Sequence, residues 1–99
     1  LGRPKLTPRV AYNLAEALYD SSGERDWRLE SVIAQDPYLA FLYSTDILQG
    51  PFPAGESAIV RDNTYSYMYE KYRLKIPEDR RRFRELKEDY WIRQREKGK

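Results

Sequence analysis

The chain contains no cysteine and no histidine. These two absences exclude disulfides, thiol nucleophiles, Cys/His zinc sites and every histidine-based catalytic triad. Lack of cysteine suits a reducing compartment, so a cytoplasmic location is expected, in a host cytoplasm if the protein is viral. No apolar run approaches the 18 to 20 or so residues that a membrane-spanning helix needs, and nothing resembles a signal peptide. Leu1 stands where a methionine would begin a chain, which reads as trimming or excision from something longer.

What is present is charge and aromatic rings. Of the 99 residues, 34% are charged and 14% aromatic, enough for one domain with a modest core and a broad polar surface. The net charge of +2 is unevenly placed. Residues 77–99 carry nine Lys/Arg against six Asp/Glu, while the remainder carries nine against ten. An electrostatic partner would therefore meet the C-terminal segment.

The stretch 63–74, NTYSYMYEKYRL, looks like a strand because Tyr65, Tyr67 and Tyr69 alternate. An internal repeat argues for helix instead. With Glu30 laid on Glu56, ESVIAQDPYLAFLYSTDILQGP lies over ESAIVRDNTYSYMYEKYRLKIP without a gap. Glu30, Ser31, Ile33, Asp36, Tyr43, Leu48 and Pro51 meet identical residues at Glu56, Ser57, Ile59, Asp62, Tyr69, Leu74 and Pro77. In the first copy Asp36 suits an N-cap, Pro37 the first helical position, and Gly50-Pro51 a stop. The second copy then starts at Asp62, with Tyr65, Met68, Tyr69 and Tyr72 forming an inward stripe that excludes Tyr67.

Shorter helices are expected over 27–34 and 53–61, ahead of each longer one. Upstream, Thr7 and Pro8 open a helix with Val10, Leu14, Ala17 and Leu18 on one face. Downstream, Pro77, Glu78 and Asp79 open a last helix to about Lys97, with a narrow stripe of Phe83, Leu86 and Tyr90 and Trp91 beside it. The chain thus reads as a single all-α domain, a compact bundle of five or six helices built from two to three helical-hairpin repeats. Residues 1–6 form a basic arm, 7–76 the repeat region and 77–99 the charged C-terminal helix.

Asp36, Pro37, Ala40, Phe41, Tyr43, Ile47, Leu48, Gly50, Phe52, Pro53, Gly55 and Glu56 together resemble a tandem unit of short α-helical repeats in uncharacterised, often phage-type proteins. The second unit departs from it at Asn63 and Ile76, which replace a proline and a glycine. The resemblance implies a helical repeat and no catalytic residues.

Arg80, Arg81, Arg82, Arg84, Arg93 and Arg95 surround Tyr90 and Trp91, and these eight are the expected partner-binding residues. Arginines could contact phosphates while a ring stacks on a base, although interleaved acids favour a solvated helix with pairs such as Arg81–Glu85 and Arg84–Glu88. Gly2-Arg3-Pro4-Lys5 matches part of an AT-hook, but Leu1 replaces its first arginine. Asp36, Asp46, Asp62, Glu30 and Glu56 could be weighed as a metal-dependent catalytic set, yet capping accounts for Asp36, Asp62, Glu30 and Glu56. The expected function is a non-enzymatic helical interaction module, such as a viral or phage accessory protein, without cofactor or metal, that binds a protein and is possible as a homo-oligomer. Nucleic-acid binding through the last helix is the alternative, and a structural domain of a larger enzyme the second.

Overall fold

A computed structural model describes residues 5–98. The AT-hook-like Gly2, Arg3 and Pro4 therefore lie outside the described residues. Six α-helices follow one another: α1 Pro8–Ser22, α2 Trp27–Ile33, α3 Pro37–Leu42, α4 Glu56–Ile59, α5 Asn63–Arg73 and α6 Pro77–Lys97. A π-helical turn, Tyr43–Leu48, continues α3, and a 3-10 turn, Pro53–Gly55, leads into α4. There is no strand among the described residues.

Caps set the helix starts. Thr7, Asp26, Asp36 and Asp62 each accept a hydrogen bond from a backbone N–H in the first turn of α1, α2, α3 and α5. Asp36 and Asp62, at equivalent places in the two copies, do so at the same 2.9 Å and with nearly the same backbone angles. Pro8, Pro37 and Pro77 occupy first-turn positions, where the missing N–H costs no helical bond. Gly23 ends α1 in the left-handed conformation. Gln49 takes the same conformation after the π turn, which closes with Gly50 N–H donating to the Ser44 carbonyl.

The helices pack in chain order. α1 lies on α2 and α3, α3 meets α4 and α5, and α4 and α5 both meet α6. The bundle is flattened, with principal extents of 44 × 37 × 18 Å. Its radius of gyration, 14.6 Å, exceeds the roughly 13 Å of a spherical domain this long. The longer helices α1, α5 and α6 consequently bury one face only, whereas central α3 buries the consecutive residues Leu39, Ala40 and Phe41. Ile33, Tyr43, Phe52, Ile59, Tyr69, Leu74 and Phe83 form the core. Ile33 and Ile59, and likewise Tyr43 and Tyr69, are fully buried at matching positions of the two copies.

Two faces differ from the sequence reading. α1 buries Ala11, Tyr12 and Ala15, while Val10, Leu14 and Ala17 face outward and Leu18 is half-buried. The two alanines let the α2–α3 layer approach closely, and the Tyr12 ring then meets Tyr43 edge-on, centroids 6.5 Å apart. In α5, Tyr69 is fully buried and Tyr65 and Met68 are half-buried, but Tyr72 remains 49% exposed. Ser66 occupies the inner line instead, its hydroxyl donating to the Ile59 carbonyl across the α4–α5 joint.

Gly55 marks the tightest approach. A Cβ there would fall 2.6 Å from the Phe52 ring and 2.8 Å from Ala40 Cβ, whereas one at Gly50 would meet only the Leu48 carbonyl at 3.9 Å. Gly55→Ala is expected to destabilise by about 1–3 kcal/mol through overpacking. Gly50→Ala should stay within about 0.5 kcal/mol of wild type. Urea unfolding of both variants measures the contrast.

Candidate partner-binding face

The side chains with the most chemical potential are two buried carboxylates. Glu30 accepts the Tyr43 hydroxyl at 2.5 Å and a forked pair from Arg25. Glu56, 2% exposed, accepts the Tyr69 hydroxyl at 2.6 Å and a forked pair from Arg82. The Tyr69 oxygen in turn accepts the Phe52 N–H at 2.8 Å. Capping does not describe these glutamates: each serves as acceptor for the tyrosine of the helical segment that follows it in its own copy. Arg25 precedes its glutamate, whereas Arg82 reaches Glu56 from α6, so the guanidinium position is not repeated.

These nodes lock helices together and hold their tyrosines protonated. Burial, then the hydrogen bond to the neighbouring carboxylate, pushes the Tyr43 and Tyr69 hydroxyls far above the ordinary phenol range. Burial also pushes Tyr12 up to about 12, with Asp46 and Glu16 adding to the effect. Among the described residues no three acidic side chains converge as metal ligands.

The expected arginine cluster is divided by the fold. Arg82 is committed to Glu56 and, through its other nitrogen, to Asp79 at 2.8 Å. Arg84 pairs with Glu70 of α5, which also takes Lys87. It makes no ion pair with Glu88 among the described residues, because half-buried Glu70 takes it across the helix interface, and Arg81 makes none with Glu85. Arg93 pairs with Asp89 one turn back, and Arg80 donates to the Leu74 carbonyl at the α5–α6 joint. Arg81 and Arg95 point outward. Tyr90 and Trp91 are half-buried and pack edge-on at 5.0 Å, so Trp91 is not the uncovered ring its narrow stripe suggests. Its indole N–H is buried without a partner.

Exposed aromatic surface is found on α5 instead. Tyr67 is 60% exposed and Tyr72 49%. The Lys71 ammonium lies between them, 5.5 and 5.3 Å from the two ring centres, and donates to the Tyr67 hydroxyl. That hydrogen bond raises the pKa of Lys71. Two clefts flank this row. One, about 270 Å³, is lined by Tyr67, Glu70, Lys71, Arg80 and Arg84. The other, about 290 Å³, lies between the π-turn exit at Gln49, Gly50 and Pro51 and the residues Tyr72, Arg73, Lys75, Ile76 and Asp79. Arg73 is anchored by its bond to the Thr45 hydroxyl at 3.1 Å.

Five cations and two carboxylates line the two clefts. Both carboxylates are already engaged, Asp79 by Arg82 and Glu70 by Arg84 and Lys87. Burial pushes the Glu70 pKa up, but the Arg84 and Lys87 bonds outweigh it and leave it below the usual value. The face therefore offers rings, aliphatic Ile76 and surplus positive charge. Of the eight expected residues, it includes Arg80 and Arg84 only. Tyr67 carried the available signal, since it falls off the buried stripe while adding a fourth ring to a short helix.

No family model matches the chain, and no curated protein or solved structure matches it.

Tyr12, Tyr43 and Tyr69 should resist ionisation in an alkaline titration of the folded chain followed by phenolate absorbance. In the unfolded chain all of them lose protons near 10. The folded chain binds these three protons more tightly, so their contribution to stability is complete below about 10 and declines as pH rises further. Cooperative release of the three on alkaline unfolding is the expected signature.

Proposed function

We propose that this chain is a non-enzymatic helical interaction module that binds an acidic, ring- or aliphatic-bearing segment of a protein partner across the α5–α6 face. The observation that carries this reading is the Tyr67–Lys71–Tyr72 row between two clefts whose carboxylates are internally paired. A carboxylate entering the clefts meets Lys71 and Arg80 in one and Arg73 and Lys75 in the other, none of which has an ion pair among the described residues, and an apolar side chain meets Tyr72 and Ile76. Aromatic and arginine positions of this kind dominate protein interfaces. The cysteine-free composition fits work in a reducing cytoplasm.

Two properties support a protein partner over a nucleic acid. Arg82, Arg84 and Arg93 of the basic helix are engaged by carboxylates, which compete with phosphate for the same guanidinium groups. Acidic side chains are interleaved along α6 and repel a phosphate backbone. For the membrane, no helix among the described residues is long and apolar enough to cross one.

The test measures fluorescence anisotropy of two probes, a short peptide rich in Asp, Glu and Trp and a single-stranded oligonucleotide, over a salt series. Peptide binding should weaken about tenfold in Lys71→Glu and in Tyr72→Ala, with unchanged helicity. Indifference of peptide binding to both substitutions overturns the reading. Oligonucleotide binding with a log–log salt slope of about −0.7 per phosphate contact, and no peptide binding, replaces it with the nucleic-acid alternative.

A further inference from the structure

One of the two clefts holds more positive charge than a carboxylate ligand can balance. The cleft of about 270 Å³ is lined by Lys71 of α5 and Arg80 and Arg84 of α6, with Glu70 as its one acid among the described residues. Each cation is held by one bond and keeps further donors. Arg80 donates its Nε–H to the Leu74 carbonyl at 2.5 Å, and Arg84 donates its Nε–H to Glu70. The terminal nitrogens of both guanidinium groups have no acceptor among the described residues. Lys71 rests against the Tyr67 and Tyr72 rings with Nζ 3.4 Å from the Tyr67 hydroxyl, so one ammonium proton is used and two are not. Glu70 is shared by Arg84 and Lys87. Lys71, Arg80, Arg84 and Lys87 thus surround a single carboxylate, and three positive charges are in surplus.

We infer that this cleft is a phosphoryl site, which takes a phosphorylated side chain of the protein partner on Lys71, Arg80 and Arg84. The inference rests on the α5–α6 face being the partner-binding surface, and it names the group recognised there. A ligand carboxylate cancels one surplus charge, whereas a phosphomonoester dianion cancels two and offers three acceptor oxygens to the unused donors. The cleft is smaller than the roughly 300–1,000 Å³ of small-molecule sites, which suits one phosphoryl group on a side chain rather than a free nucleotide. The neighbouring cleft, with Tyr72 and Ile76, receives an apolar side chain of the same segment. A nucleic-acid backbone would need cations repeated along α6, where Arg82 and Arg93 are paired with Glu56, Asp79 and Asp89. A single phosphoryl group needs only the one cluster.

Fluorescence anisotropy of the full chain with one acidic, Trp-bearing peptide in three forms tests this. The forms carry phosphoserine, one glutamate or two adjacent glutamates at the same place, the last matching the phosphate in charge. The phosphoserine form should bind about tenfold tighter than either glutamate form. Lys71→Met should remove that preference, and Arg80→Lys, which keeps the charge but loses the planar fork, should reduce it, both with helicity unchanged by circular dichroism. Histidine, the side chain that ordinarily titrates between pH 5 and 8, is absent, so a pH series reports the ligand. Phosphoserine-peptide affinity should fall up to about tenfold from pH 7 to pH 5, as the phosphate takes up its second proton near 6, while the glutamate forms change little. Free phosphoserine should compete only at concentrations about a hundredfold higher or more. Equal binding of the phosphoserine and two-glutamate forms overturns the inference and leaves the α5–α6 reading standing, whereas no binding by any form overturns both. A phosphoserine preference that survives both substitutions overturns it too, as does free phosphoserine or a single-stranded oligonucleotide that binds as tightly as the phosphopeptide.

Discussion

A carboxylate as buried as Glu56 must have its oxygens satisfied within the protein, and the placement of three helices follows from how this is done. Tyr69 brings α5 to it, Arg82 brings α6, and the glutamate itself opens α4. The Tyr69 oxygen also takes the Phe52 N–H, fixing the loop that precedes α4. Removing one member leaves a buried polar group unpartnered, at a cost of about 1–3 kcal/mol, more when the group is charged. The small core gains specificity from this node, because the rings around it have one set of directions. Tyr69 meets Phe83 at 5.0 Å, and Phe52 meets Tyr43 at 4.8 Å. Tyr43 then carries the packing to the Glu30 node and to α1.

The same network shapes the α5–α6 face. With Arg82 drawn inward, Asp79 is neutralised beside the cleft rather than opposing a ligand there. Tyr69 points inward from α5 and Tyr67 lies on the opposite side of the helix, while Lys71 and Tyr72 are exposed in its last turn. The π turn ends at Gln49 and Gly50, which wall the second cleft. Wide turns of this type are uncommon and are often found beside functional surfaces.

Much of the architecture was legible in the sequence because caps and stops are local. Asp36, Asp62 and Pro77 announce helix starts that the structure places at those residues. The faces were less legible. Periodicity weights Val10 and Leu14 above Ala11 and Ala15, but close approach of neighbouring helices selects the small residues. The carboxylate nodes left a partial signal, since Glu30, Glu56, Tyr43 and Tyr69 are all identities in the alignment of the two copies. Arg82 had no such signal, for its partner lies far back in the chain on another helix and its counterpart, Arg25, sits differently. Charge counting grouped the arginines of α6 into one surface. Their separation into inward, cross-helix and outward members depends on tertiary placement.

A double-mutant cycle on the Glu56–Tyr69 pair tests the dependence of the fold on this node most directly. Urea unfolding of wild type, Glu56→Gln, Tyr69→Phe and the double variant yields the coupling between the two side chains. The account predicts that each single substitution costs about 1–3 kcal/mol and that their effects are coupled by about 1 kcal/mol or more. Costs that add to within about 0.3 kcal/mol would contradict it, because the two groups would then stabilise the fold independently.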